Sequence, residues 1–310
     1  MRPVLLLLLA LLSLTPAAVA AKGLKATAAQ EGSAYRYTAQ WTEGKQKHKV
    51  TVDLPREAVE ADLKAPLRFP REAAGEAQAK AVRKWADSLP KSTQLKVKAS
   101  KNGSLSFSVR AKSRSAAKEA LAKAEEIAKA ELLRFATEKG FVVDEDNVIL
   151  PDHAREAVES APAVKALADA LAEGLPPDDA RAFANRALHF TQSIPYEKRK
   201  NGGDAGFRRP LSLLVRNKGD CDGKSVLFLA LMRARFPTLP LAVVLVPEHA
   251  FVAVGLEAKS GERTVKEDGT ELVLMEPVGP AHSAIGELSR TGKKGMRWGR
   301  DTVLRVKPSR

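Results

Sequence analysis

The feature that most constrains this chain is a short turn that leads at once into an apolar helical run. The turn is Gly219-Asp220-Cys221-Asp222-Gly223-Lys224-Ser225, and the run is Val226-Leu227-Phe228-Leu229-Ala230-Leu231-Met232. This pattern predicts a helix that begins at or just after Cys221, the only cysteine of the chain. The helix dipole and the unpaired backbone N–H groups at such a terminus favour a thiolate over a thiol. We therefore expect a reactive cysteine rather than a small buried hydrophobic residue.

A histidine and a carboxylate follow the cysteine at similar intervals. His249 opens a predicted strand, and Glu276 lies in a later one. Nucleophile, base and base-orienting acid in this chain order are the sequence outline of a thiol acyl-transfer enzyme. A zinc site built from Cys221, Asp222 and His249 is disfavoured because zinc sites use closely spaced ligand pairs. We expect no metal and no cofactor.

The N-terminus has the three parts of a secretory signal peptide. Arg2 precedes an apolar run, Val4–Leu14, and Ala18-Val19-Ala20 forms a small-x-small cleavage site. The apolar run is too short to cross a bilayer. We expect residues 1–20 to be removed, no transmembrane segment after that, and a periplasmic or secreted protein.

The formal net charge of +14 bears on the partners of such a protein. In an exported protein we expect no nucleic-acid partner, and anionic lipid headgroups, cell-wall polymers or acidic proteins fit better. A basic loop, Lys198-Arg199-Lys200 with Arg208-Arg209, is the candidate contact for an anionic surface.

Strand alternation and helical periodicity divide the mature chain into two α+β domains. Residues 21–33 are small and polar and are predicted to form a flexible leader. Residues 34–150 show strand–strand–helix twice, with Asn102-Gly103 as a two-residue hairpin turn, and are predicted to form a smaller accessory domain. Residues 151–310 are predicted to pack the cysteine-bearing helix on antiparallel strands that carry the base and its acid.

Several short segments in the second half form a recognisable set. They are Phe190–Tyr196, Arg209-Pro210-Leu211 with Leu214, Gly219–Asp222 with the helix to Arg233, His249–Gly255, Met275-Glu276-Pro277 and Ile285-Gly286. Over residues 177–290 the chain thereby resembles the bacterial transglutaminase-like cysteine peptidase family of the papain-like superfamily. The resemblance implies a papain/transglutaminase-like core with Cys221 as nucleophile, His249 as base and Glu276 as its orienting acid. It also implies Gln192 as an oxyanion donor and Tyr196 as a cleft residue.

The chain departs from the family pattern in ways that leave the reaction open. Gly223 stands where a second acidic residue is expected, and the final acid is Glu276 where many transglutaminases have Asp. Water as the acyl acceptor would make a peptidase or amidase, and an amine would make a transglutaminase. The substrate would be a protein or peptide, with cell-envelope proteins and wall cross-links as candidates. The alternative is a catalytically silent module that binds a cell-envelope peptide or an anionic partner.

Overall fold

A computed structural model describes residues 23–64, 67–144, 146–197, 207–247, 249–296 and 301–308. These residues form a mixed α+β fold with nine helices and twelve strands. The predicted signal peptide lies outside the described residues. Among the helices described, none combines the length and the apolar character that a membrane span requires.

The elements run in the following order along the chain. The strands are β1 (Lys25–Glu31), β2 (Ala34–Glu43), β3 (Gln46–Pro55), β4 (Gln94–Ala99), β5 (Leu105–Arg110), β6 (Phe141–Val143), β7 (Ile149–Pro151), β8 (Leu241–Val246), β9 (His249–Val254), β10 (Thr264–Glu267), β11 (Thr270–Met275) and β12 (Thr302–Val306). The helices are α1 (Arg56–Lys64), α2 (Arg71–Ala86), α3 (Arg114–Glu138), α4 (His153–Ser160), α5 (Lys165–Ala172), α6 (Ala180–Ser193), α7 (Pro210–Arg216), α8 (Cys221–Arg235) and α9 (Arg290–Met296).

An antiparallel sheet in the order β10-β11-β9-β8-β12 supports the second half of the chain. Strands β8 and β9 are almost continuously apolar and are buried on both faces, as strands in the middle of a covered sheet must be. Val243 and Val252 point into the same core as the apolar residues of α8. Val244 and Phe251 belong to a second cluster on the other face, against which Met296 of α9 packs. The cysteine-bearing helix thus packs on antiparallel strands, as predicted.

The first strand contradicts the prediction of a flexible leader. Strand β1 pairs with β2 along its whole length, from Lys25 opposite Gln40 to Glu31 opposite Ala34. Leu24 is buried just before it, and its N–H donates to the carbonyl of Ser193 at 2.6 Å. The small polar side chains of β1 gave no strand signal. Backbone ladder bonds need no particular side chains, however, and the core contacts of this segment are the buried Leu24 and the partly buried Ala26 and Ala28.

The packing also places the domain boundary differently from the predicted division at residue 150. Tyr37 and Trp41 of β2 and Leu54 of β3 lie in one continuous core with α5, α6 and α8. A separate small core joins α2, β4, β5 and α3, with Val82 and Val97 at its centre. The accessory unit is therefore the segment from α2 to β6, inserted after the first β-sheet of the main domain.

Candidate active site

The cysteine turn has the local geometry of a helix start. Asp220 has an extended backbone (φ −93°, ψ −171°), and its carboxylate accepts a hydrogen bond from the N–H of Gly223. It is therefore the N-cap, and Cys221 is the first residue of α8. A Cβ at position 219 would lie 2.3 Å from the side chain of Leu213, so any residue other than glycine immediately before the cap would displace that leucine. The predicted position of Cys221 at a helix N-terminus is confirmed.

The surroundings of the sulfur do not favour the predicted thiolate. The Cys221 thiol donates to Oδ1 of Asp222 over 3.5 Å. Burial, followed by the negative charges of Asp222 and Asp220, raises the pKa of the Cys221 thiol far above its ordinary value, although the backbone N–H of Ala250 acts in the opposite direction. The helix N-terminus is therefore outweighed by desolvation and by two like charges, and the cysteine rests as a thiol.

The predicted base and its acid form a direct pair. His249 is the first residue of β9, and its Nε2 lies 2.9 Å and 3.0 Å from the two carboxylate oxygens of Glu276. Glu276 directly follows β11 and is completely buried. A carboxylate bound to Nε2 fixes the orientation of the imidazole and leaves Nδ1 to face a reacting group.

The backbone of Ala250 brings the cysteine and the histidine to one place. Ser225, one helical turn after Cys221, donates its hydroxyl hydrogen to the carbonyl of Ala250 over 3.3 Å. The backbone of the same residue also lies close enough to the sulfur of Cys221 to oppose the rise in the pKa of the thiol. The first turn of α8 therefore lies on the beginning of β9, directly beside His249. Ala250 thus links the helix start that bears Cys221 to the strand that begins at His249, although the two are far apart in the sequence.

Helix α9 closes the site behind the carboxylate and was not predicted. A Cβ at Gly292 would lie 3.2 Å from Oε2 of Glu276, so this helix packs against the acid through a glycine. Gly295 plays the same part against Val246 of β8, where a Cβ would come within 2.4 Å. The seven residues of α9 include two glycines and several polar residues, so they show no helical periodicity. For that reason the helix could not be predicted from the sequence.

Gln192 does not have the free donor that an oxyanion role requires. It is buried in the last turn of α6, and its Nε2 donates to the carbonyls of Glu276 (2.8 Å) and Ser283 (2.9 Å). Both amide hydrogens are thus committed. The structure replaces the predicted oxyanion role with a structural one, in which Gln192 holds the backbone of Glu276.

Tyr196 lies next to the cysteine turn, which agrees with a place on the wall of the cleft. Its backbone forms a parallel bridge with Gly219, whose N–H donates to the carbonyl of Pro195. The N–H of Glu197 in turn donates to the carbonyl of Gly219. Tyr196 is 48 % exposed and is one of three large apolar residues that the described part of the chain leaves open to solvent.

Two buried residues near the cysteine were missed by the sequence analysis. Lys224 is completely buried, and its ammonium donates to the carbonyl of Ile194 at the end of α6. His153 is also buried, with its Nε2 3.9 Å from Oδ2 of Asp222. The position of Lys224 just before the apolar run of α8 was a sequence signal that this lysine is buried. Nothing in the sequence linked His153 to the cysteine turn.

The predicted basic contact surface is only partly described. Residues 198–200 lie outside the described residues. Arg208 forms an ion pair with Glu197, and Arg209 forms one with Glu156, both in partly buried positions. The charges of these two arginines are therefore paired within the protein.

The described part of the chain contains no group of three or more His, Cys, Asp or Glu side chains arranged to hold a metal ion. Comparisons with protein-family models, with curated proteins and with solved structures found no match to this chain.

Proposed function

We propose that this protein is an exported, thiol-dependent acyl-transfer enzyme with a Cys-His-Glu triad on a papain/transglutaminase-like core. The observation that carries the proposal is the buried pair of His249 and Glu276 beside the first turn of the helix that bears Cys221. Burying a carboxylate beside an imidazole costs free energy of desolvation. Next to a cysteine, such a carboxylate holds the imidazole in a fixed orientation, in which it can act as the base.

Because the cysteine rests as a thiol, the proton must move during the attack. His249 Nδ1 takes the thiol proton as Cys221 Sγ forms a bond to the carbonyl carbon of an amide or ester, and Glu276 stabilises the resulting imidazolium. Backbone N–H groups at the start of α8 hold the oxyanion. Collapse of the intermediate breaks the bond to the leaving group, which takes the proton from His249 and leaves a thioester.

The second half-reaction returns the enzyme to its starting state. His249 removes a proton from water or from an amine as that nucleophile attacks the thioester carbonyl. The carbon–sulfur bond then breaks, and the proton returns to Cys221. Water gives hydrolysis and an amine gives transamidation. We propose a protein or peptide substrate in the cell envelope for either reaction.

The test uses the exported form of the protein with two readouts. Hydrolysis is followed with a library of peptidyl coumarin amides, and transamidation with dimethylcasein and a dansylated amine. Intact mass is recorded after acid quench to detect an acyl group on Cys221. We expect activity that falls by on the order of 10³-fold or more in Cys221→Ala and in His249→Ala. As the matched control, Asp179→Asn changes a cap on α6 and should leave activity unchanged. Full activity in Cys221→Ala would refute the proposal.

One observation favours a second candidate, a catalytically silent module that binds an envelope peptide. The thiol of Cys221 donates to Asp222, and its pKa is raised rather than lowered. A module of this kind would bind peptides from the same library without turnover, without an acyl intermediate, and with equal affinity in Cys221→Ala.

A further inference from the structure

Lys224 is buried without any exposed surface in the first turn of α8. Lysines are almost never fully buried unless their charge is paired. Within the described ranges, its ammonium hydrogen-bonds only to a neutral acceptor, the carbonyl of Ile194. The carbonyl replaces a hydrogen bond that the ammonium would make to water, but it does not replace the solvation of the positive charge. A buried ammonium therefore depends on negative charges nearby for its stability.

Those charges belong to the candidate active site. Glu276, from the end of β11, and Asp220, from the helix cap, both favour the charged form of Lys224. His282, in the segment after Glu276, is in turn affected by the charge of Lys224. His249 joins the same group through its contact with Glu276. The end of α6 brings the two groups together, because Gln192 donates to the carbonyl of Glu276 and Ile194 accepts from the ammonium of Lys224. Lys224 is therefore the cation of a buried cluster that contains Glu276.

Glu276 needs such a cation because its other partner changes charge during catalysis. The carboxylate is completely buried, and its side-chain oxygens contact Nε2 of His249. While His249 is neutral, that contact supplies one hydrogen bond but no positive charge. A buried carboxylate in this state either finds a counter-charge elsewhere or takes up a proton.

We propose that Lys224 is a positioning residue of the triad, which supplies the counter-charge that keeps Glu276 anionic and directed at His249 while the imidazole is neutral. This inference rests on the proposed function, since it assigns Lys224 a role within the same site. In the absence of the ammonium, the His249–Glu276 pair retains a proton to higher pH, and less of the protein has a base ready to accept the thiol proton.

The test does not need turnover. The His249 ring resonance, assigned by its loss in His249→Ala, is titrated by NMR in wild-type protein, in Lys224→Met and in Lys218→Met. The last is a matched control, since Lys218 is an exposed lysine near the same turn. We expect the midpoint of the titration to rise by about one pH unit or more in Lys224→Met. We expect no change in Lys218→Met.

A second pair of variants separates an effect through Glu276 from a direct one. In the Glu276→Gln background, where the carboxylate charge is gone, Lys224→Met should lose most of its effect on the midpoint. An unchanged midpoint in Lys224→Met, or an equal rise in both backgrounds, would overturn the inference. These readouts can fail while the enzyme is active and can succeed while it is inactive, so failure of this inference can be told apart from failure of the proposed function.

The wild-type protein provides a further measurement if Lys224→Met does not fold. Burial lowers the pKa of Lys224 to about 8, against the opposing charges of Glu276 and Asp220. The His249 resonance should therefore show a second inflection near pH 8, as Lys224 loses its proton. A single inflection over the range from pH 5 to about 10 would overturn the inference.

Discussion

Replacing Asp222 by Asn should make Cys221 more reactive at neutral pH. At 3.5 Å between Sγ and Oδ1, two unit charges would repel each other by about 5 kcal/mol at an effective dielectric constant of about 20. The carboxyl side chain is 30 % exposed, so water screens part of this energy. We expect the thiolate fraction at pH 7.5 to increase by about 10- to 1000-fold, which is the usual effect of one close charge.

The increase in rate should be smaller than the increase in thiolate. Nucleophilicity falls as a thiol becomes more acidic, with a Brønsted coefficient of about 0.5, so the rate should rise about 3- to 30-fold. The assay is the second-order rate of iodoacetamide labelling, which reports Cys221 alone because the chain has no other cysteine.

The control for this measurement is Asp179→Asn, which makes the same change at the start of another helix. Its labelling rate should equal that of the wild type. An unchanged or slower rate in Asp222→Asn, in a protein with wild-type circular dichroism, would refute the view that this carboxylate holds the cysteine in its thiol form.

Three further predictions concern the support of the site. Gly292→Ala would place a Cβ 3.2 Å from Oε2 of Glu276, and we expect kcat/KM to fall about 3- to 10-fold through displacement of the acid; wild-type kinetics would contradict this. Gln192→Leu removes the donor that binds the carbonyls of Glu276 and Ser283. The free energy of unfolding in urea should therefore fall by about 1–3 kcal/mol. An unchanged midpoint and slope of the urea unfolding curve would contradict this prediction. The pKa of Lys224 is lowered from 10.5 to about 8, so between these values the unfolded chain binds more protons at this position than the folded one. The lysine's contribution to stability therefore rises with pH in that window, and the difference in unfolding free energy between wild type and Lys224→Met should change by up to about 3 kcal/mol in favour of the wild type. A difference that is constant with pH would contradict this prediction.

The sequence predicted the position of the cysteine better than its ionisation. A capping aspartate followed by an apolar run fixes a helix start locally, and Cys221 is indeed the first residue of α8. The protonation state depends on burial and on the carboxylates of Asp220 and Asp222 in three dimensions. Both acids were visible in the sequence, but the distance at which they act on the sulfur was not.

Two turns with similar sequences show that the backbone conformation of a turn is also only partly predictable from the sequence. Asp268 and Gly269 both have positive φ, and they join β10 to β11 as a two-residue turn. At Asn102-Gly103, only the glycine has positive φ. There the side chain of Asn102 accepts a hydrogen bond from the N–H of Ser104, and the connection between β4 and β5 widens to residues 100–104. A side-chain bond within the loop thus competes with the tight turn.

The predicted domain boundary failed for a different reason. Alternation in β2 and β3 correctly indicated a hairpin with one buried face. It does not say which surface covers that face, and Trp41 packs edge-on against Phe190 of α6, far along the chain. Contacts of this kind have no signature in a local pattern.

The position of the accessory unit has a consequence for the order of folding. Its two helices and the β4–β5 hairpin make contacts that are mostly close in sequence, so we expect this unit to form early. The main domain cannot be completed until β2 and β3 meet helices that follow the whole insertion, and until β12 joins β8 at the far end of the chain. Closure of these long loops is slow. The early strands of the main domain therefore keep their apolar face uncovered until helices that begin more than one hundred residues later have formed.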